Sequence, residues 1–224
     1  MSIEVHELVV FPGPDGSAGN PLGVVLHGGT VDAADRQRVA AALNYSETVF
    51  VDDPASGAIQ IFTPATELPF AGHPTVGTAW LLAREHAPIA ALRPPAGTVG
   101  VRYEPDVTWV TARPEWTPVF DFRQLPSAAD VESHPQPDRG HVYVWAWLDE
   151  KAGTVRSRSF PVDLGINEDE ATGAAAIALV GLLGRRLEIH QGVGSRLIAN
   201  PTGDGAVELG GRVAAVRTFA FDGR

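Results

Sequence analysis

Two stretches decide the fold: Phe62-Thr63-Pro64-Ala65-Thr66-Glu67-Leu68-Pro69-Phe70-Ala71-Gly72-His73-Pro74-Thr75-Val76-Gly77-Thr78-Ala79, and Phe160-Pro161-Val162-Asp163-Leu164-Gly165-Ile166-Asn167-Glu168-Asp169-Glu170-Ala171-Thr172-Gly173-Ala174-Ala175. In each, a strand ending on Phe and Pro leads through an acidic loop into a Gly- and Ala-rich helix too apolar to lie on a surface. Pro74 suits a first helical turn because its φ is already helical. The apolar helices are predicted over Thr75 to Arg84 and Thr172 to Leu183. One plan made twice predicts an α+β fold of two pseudo-symmetric lobes, each a buried central helix wrapped by antiparallel strands. Both helix N-termini then point into the cleft between the lobes.

Outward from these stretches the β pattern dominates. Val5 to Phe11 and Leu22 to His27 read as a hairpin, and Asp32 can cap a helix to Leu43 with Asp35, Arg36 and Arg38 on or near its wet side. Strands follow over Thr48 to Asp52, Ala58 to Phe62 and, within Thr98 to Ala112, a further β region. Val142 to Leu148 alternates so cleanly that both faces should be covered. Val155 to Phe160, Leu187 to Gln191, Arg196 to Ala199, Ala206 to Leu209 and Val213 to Phe221 complete the set. Prolines 114, 118, 126, 135 and 137 crowd the segment between Arg113 and Asp138, which places the lobe boundary there: residues 1–115 and 116–224.

Composition narrows the function. The chain has 224 residues, 44% apolar, and a formal charge of −10. That is enough for a real core, and the acidic balance argues against nucleic acid, whose binding is driven by Lys and Arg. The longest apolar stretch, Gly173 to Gly184, falls short of the roughly 20 residues of a bilayer span, and no basic and apolar leader opens the chain. A soluble, cytoplasmic protein is expected. There is no cysteine, and the seven histidines lack metal-binding spacings, so neither a metal nor a nucleotide cofactor has positive support.

Two helix N-termini facing one cleft make a receptor for a carboxylate or a developing enolate, provided a base stands nearby. Glu47 begins an apolar strand in Ser46-Glu47-Thr48-Val49-Phe50-Val51, where burial would raise its pKa; it reads either as that base or as a solvated strand edge. His73 reads as a hydrogen-bond donor or second acid near neutrality, or as a helix cap. Asp169 reads as a proton-transfer carboxylate or as an acidic residue meeting the helix dipole. Thr172 is a plausible cap. Asn20, in the Gly19-Asn20-Pro21 turn, can face a ligand, and the Gln191-Gly192-Val193-Gly194 loop can approach one through its backbone.

In order along the chain, Gly19-Asn20-Pro21-Leu22, Ser46-Glu47-Thr48-Val49-Phe50-Val51, Phe62-Thr63-Pro64 with Glu67 to Ala79, Arg158-Ser159-Phe160-Pro161, and Glu168-Asp169 with Ala171-Thr172-Gly173 resemble the PhzF-like phenazine-biosynthesis family, which shares the diaminopimelate epimerase fold. The resemblance implies a cofactor-independent isomerase or epimerase that moves a proton on a small carboxylate, often as a homodimer. Glu47 matches the family's proton-transfer glutamate, and His73 and Asp169 match its accompanying histidine and aspartate. Gly72 and Gly173 match its backbone turns against the ligand, with Thr75, Thr172, Asn20 and Gly192 as further binding positions. Three departures lie in the second half. Glu170 stands for a proline and Ala174 for a serine, Gly194-Ser195-Arg196-Leu197 replaces a Gly-Arg-Pro-Ser loop, and that half is shortened. A non-catalytic small-carboxylate-binding protein on the same scaffold is the alternative those departures suggest.

Overall fold

The computed structural model describes residues 2–222. A six-stranded and a nine-stranded sheet surround two buried helices. The first sheet comprises β1 (Ser2–Val10), β2 (Asn20–Val25), β3 (Glu47–Asp53), β4 (Ala58–Phe62) and β5 (Glu67–Leu68), with α1 (Ala33–Leu43) between β2 and β3. Helix α2 (Gly72–Glu85) follows β5. The second sheet begins with β6 (Ala91–Leu92), β7 (Val99–Tyr103) and β8 (Thr108–Ala112). It continues through β9 (Asp121–Gln124), α3 (Ala128–Glu132), β10 (His141–Asp149), β11 (Thr154–Pro161), α4 (Gly173–Leu183), β12 (Leu187–Gln191), β13 (Ser195–Pro201) and β14 (Val207–Gly211). The last strand, β15 (Val213–Asp222), returns to pair with β1 in the first sheet. Hydrogen bonding thus crosses the 115/116 division, since β6 to β8 join the second sheet and β15 the first.

The α+β architecture follows from where apolar surface must go. In α2 every residue from Gly72 to Ala79 is buried, and α4 buries Gly173, Ala175, Ala176, Ile177, Leu179 and Val180. Both helices sit in one continuous core with Leu8, Leu22, Val49, Ile61, Val110, Ile189 and Leu209. Separate clusters lie under α1 (Val25, Val39, Phe50) and under α3 (Val131, Val142, Phe160). No helix is long and apolar enough to cross a membrane among the described residues.

Several expectations need correction. The strands are not all antiparallel: β2 with β3, β9 with β10, and β11 with β12 pair in parallel, each joined by a connection containing a helix, which is what parallel pairing requires. Arg36 is not on the wet side; it is 6% exposed, donates to the Gly28 and Val31 carbonyls, and pairs with Asp52 and Gln60. Enough acceptors converge there to satisfy a buried guanidinium. In the proline-rich segment, Ser127 accepts from the Asp130 amide and starts the short α3, and β9 precedes it. Both faces of β10 are covered from Val142 to Ala146, with Tyr143 and Trp145 in the main core and Val142, Val144 and Ala146 in the cluster under α3, while Trp147 is half-buried and Leu148 exposed. The Tyr143 and Trp145 side chains pack inside this chain.

Candidate active site

The N-termini of α2 and α4 abut glycine to glycine. A Cβ built on Gly72 would lie 2.7 Å from the Gly173 carbonyl carbon, and one on Gly173 would lie 2.9 Å from the His73 amide nitrogen. Two positive dipole ends in contact repel unless an anion shares the space. Beside them lies a small cleft of about 90 Å³ lined by Glu47, Asp169, Thr172 and Ala174, with a mainly apolar wall that includes Leu68, Phe70, Phe120, Leu164 and Ile166. No Lys or Arg is among the lining residues, which include His141.

Glu47 enters from the first residue of β3, where parallel pairing with Leu22 fixes its place. Burial, and secondarily the nearby Asp169 carboxylate, push its pKa up to about 8 against a weak opposing hydrogen bond from Ser46. Its Oε2 lies 3.3 Å from Nε2 of His73. His73, in the first turn of α2, is buried, and burial pulls its pKa down to about 3. The expectation of a histidine titrating near neutrality is corrected: the imidazole is neutral at pH 7. Its ring also bonds the Pro21 carbonyl. Nδ1 lies 3.4 Å from Asn20 Nδ2, and Nε2, without a hydrogen-bond partner among the described residues, faces Glu47.

Asp169 precedes α4 and is held on every side. Its Oδ1 accepts from Asn20 Nδ2 at 2.7 Å, and Oδ2 accepts from Thr172 Oγ1 at 2.6 Å. Its backbone bonds Ser159 and the Gln191 side chain. Burial raises its pKa, Thr172 and Asn20 oppose that rise, and the Glu170 charge adds to it. Glu47 and Asp169 are thus two buried carboxylates in one cleft, and they cannot both ionise freely. Asp169 loses its proton first, because donors reach both of its oxygens.

Thr172 is not a side-chain cap: its hydroxyl donates to Asp169 and accepts from Gln191 Nε2 at 2.9 Å. Behind it, Gln191 Oε1 accepts from the Tyr143 hydroxyl at 3.3 Å. Asn20 faces Asp169 rather than open cleft. Its Nδ2 also donates to the Ala171 carbonyl, and its Oδ1 accepts from Ser46; both amide hydrogens are used, so its 3.4 Å contact with His73 Nδ1 carries none. Thr75 donates back to Ala71 and Gly72 within its own helix. Gly192, with φ at 58°, lies against the Glu170 carboxylate. Gly72 and Gly173 form the helix-to-helix contact. Reading the sequence missed Gln191 and Tyr143 as supports of Asp169, and Phe70, Phe120 and His141 as cleft walls; no local pattern marks them.

A family model described as "Phenazine biosynthesis-like protein" (PhzC-PhzF) matches residues 14–136. The trans-2,3-dihydro-3-hydroxyanthranilate isomerase of Pseudomonas chlororaphis is 32% identical over 78% of this chain and 81% of its own length. An uncharacterised isomerase of Mesorhizobium japonicum is 40% identical over 53% of this chain, which spans 40% of that relative. Among solved structures, a phenazine biosynthesis PhzC/PhzF protein from Clostridium difficile superposes with a TM-score of 0.79 over 98% of this chain and 99% of its own, at 17% identity, a likeness of fold. Fold and relatives together define an isomerase. The chain belongs to the phenazine biosynthesis-like family.

Proposed function

We propose that this isomerase moves a proton between two carbons of a small carboxylate by general acid/base catalysis, with no cofactor. The observation that carries the reading is the Glu47 carboxyl, buried with a pKa near 8, set 3.3 Å from a neutral imidazole beside two helix N-termini. A base that must accept a proton from carbon and return it elsewhere works best with a pKa close to the operating pH. Glu47, when ionised, takes the C–H proton; the electron pair delocalises into the substrate carboxyl group as an enolate. Amide groups at the starts of α2 and α4 meet that developing charge. Glu47 then delivers the proton to the second carbon, and Asp169 assists as the partner carboxylate. His73 holds Glu47 in place by offering Nε2 to its protonated form.

The relatives' substrate, trans-2,3-dihydro-3-hydroxyanthranilate, is the first probe for this chain. In deuterated buffer the wild type should place deuterium on a substrate carbon, and Glu47→Gln should abolish that exchange while keeping the fold. Exchange unchanged in Glu47→Gln would remove Glu47 from the mechanism. A homodimer is the expectation from the family, and the cytoplasm the expectation from the sequence; light scattering after size-exclusion chromatography tests the dimer, and a monomer at high concentration rejects it.

A further inference from the structure

Two consecutive carboxylates hold two consecutive residues near the chain's start. Asp169 accepts directly from the Asn20 side chain at 2.7 Å. Glu170 reaches the residue before it by a longer route. Its carboxylate accepts from the Val193 amide at 2.8 and 3.0 Å, the Gly194 amide at 3.2 Å and the Ser195 hydroxyl at 2.8 Å. The Ser195 oxygen in turn accepts from the Gly19 amide at 3.0 Å. Gly192 makes this possible: at φ 58° the following amides turn toward one point, and a Cβ there would lie 2.1 Å from Glu170 Oε2. A charged carboxylate bound by three donors makes strong hydrogen bonds, so the 192–195 turn and the Gly19 amide are held as one body.

We propose that Glu170 is a positioning residue: by ordering the 192–195 turn and, through Ser195, the Gly19 amide, it fixes the turn that presents Asn20 to Asp169. This rests on Asp169 acting in the proposed reaction. A simple loop staple would affect residues 192–195 and stop there; positioning must reach the Asn20 side chain and the chemical step.

The test uses Glu170→Ala and Ser195→Ala in the full chain, with ¹⁵N spectra and buffer-deuterium exchange into trans-2,3-dihydro-3-hydroxyanthranilate. In Glu170→Ala, the Val193 and Gly194 amides should lose their hydrogen-bonded shifts, the Asn20 side-chain resonances should move, and kcat should fall about tenfold with KM changed less than about twofold. Ser195→Ala should move the Asn20 resonances while leaving the Val193 amide bonded to Glu170. Asn20 resonances unmoved in both variants would overturn the inference, whatever happens at Val193. If Glu170→Ala does not fold, Ser195→Ala decides by the same Asn20 criterion. A wild type that exchanges no deuterium would sink the proposed reaction, and the inference with it as far as catalysis goes; the Asn20 resonances would then report only whether Glu170 orders the Asn20 turn.

Discussion

Nε2 of His73 lies 3.3 Å from Oε2 of Glu47, and neither atom has a hydrogen-bond partner among the described residues. At that distance an imidazolium–carboxylate pair is the first thought, and it is the wrong one. An ion pair would raise the histidine pKa and lower the glutamate pKa, whereas His73 is pulled down to about 3 and Glu47 pushed up to about 8. Burial outweighs mutual attraction. At neutral pH the contact is a carboxylic acid facing a neutral imidazole.

Glu47→Gln should therefore lose activity and gain stability. A carboxyl with folded pKa near 8 and ordinary value 4.5 binds its proton more tightly folded than unfolded. Its contribution to stability falls as pH rises from about 4.5 to about 8 and stays low beyond. The neutral amide escapes that penalty. Melting temperature should rise by several degrees in Glu47→Gln at pH 9 and change little at pH 4.5, given about 2–4 °C per kcal/mol for a chain of this size. An equal shift at both pH values would contradict a buried, protonated Glu47.

His73 imposes the opposite slope on the acid side. Its folded pKa, about 3, lies below the ordinary 6.5, so the unfolded chain binds the extra proton first, and stability is lost as pH falls from about 6.5 toward 3. With Glu47 acting above 4.5, the two groups together place the stability maximum between about pH 4.5 and 6.5. Replacing the imidazole in His73→Gln should flatten the acid limb of a melting-temperature profile and leave the alkaline limb in place.

The rate should carry the same signature. Because Glu47 must be ionised to take the first proton, kcat/KM for deuterium exchange should rise about tenfold per pH unit below pH 8 and level off above it. A profile falling through pH 8 would mean that Glu47 starts the reaction as the acid, with Asp169 as the base.

At the helix-to-helix contact, Gly173→Ala should be poorly tolerated. The added Cβ would meet Leu209 Cδ2 at 2.7 Å and the His73 amide nitrogen at 2.9 Å, and the latter is backbone that cannot step aside. A destabilisation of about 1–3 kcal/mol is expected, as for overpacked cores, measured by denaturant unfolding.

Much of this was legible in the sequence, for reasons that vary with the residue. Glu47 and His73 stand at the start of an element whose apolar run announces it and Asp169 four residues before one, but it is the ordered match to the family pattern that joins them as one site. Asn20, Gln191 and Tyr143 were harder. Asn20 meets Asp169 across 149 residues, and Gln191 meets Thr172 across 19; no periodicity encodes such pairings. Helix α3 hid among prolines because its only local sign is the Ser127 cap. Arg36 was misread because a helical pattern cannot show that the Gly28 and Val31 carbonyls of the preceding loop and Asp52 of β3 await a guanidinium. Glu170 and the Gly194-Ser195 start of the altered loop, noted separately as departures from the family pattern, prove to be partners of each other.

Ala174 is the departure that touches the cleft itself. It lines the pocket at the start of α4 next to Thr172, where the family pattern carries a serine. A methyl group there offers a bound carboxylate nothing, and the Thr172 hydroxyl is already committed to Asp169 and Gln191. Anion binding at this helix start is thus left to backbone amides. Ala174→Ser would add one donor in the first helical turn, where serine is well accommodated, at little cost in stability. A hydrogen bond to a charged group contributes about 1.5–3 kcal/mol, so the dissociation constant of a carboxylate such as 3-hydroxyanthranilate should tighten by roughly tenfold or more, read by calorimetry. If the uncharged amide of the same ring gains as much as the acid, the added hydroxyl is not meeting a carboxylate, and the placement of the substrate's anionic end against α4 must be reversed.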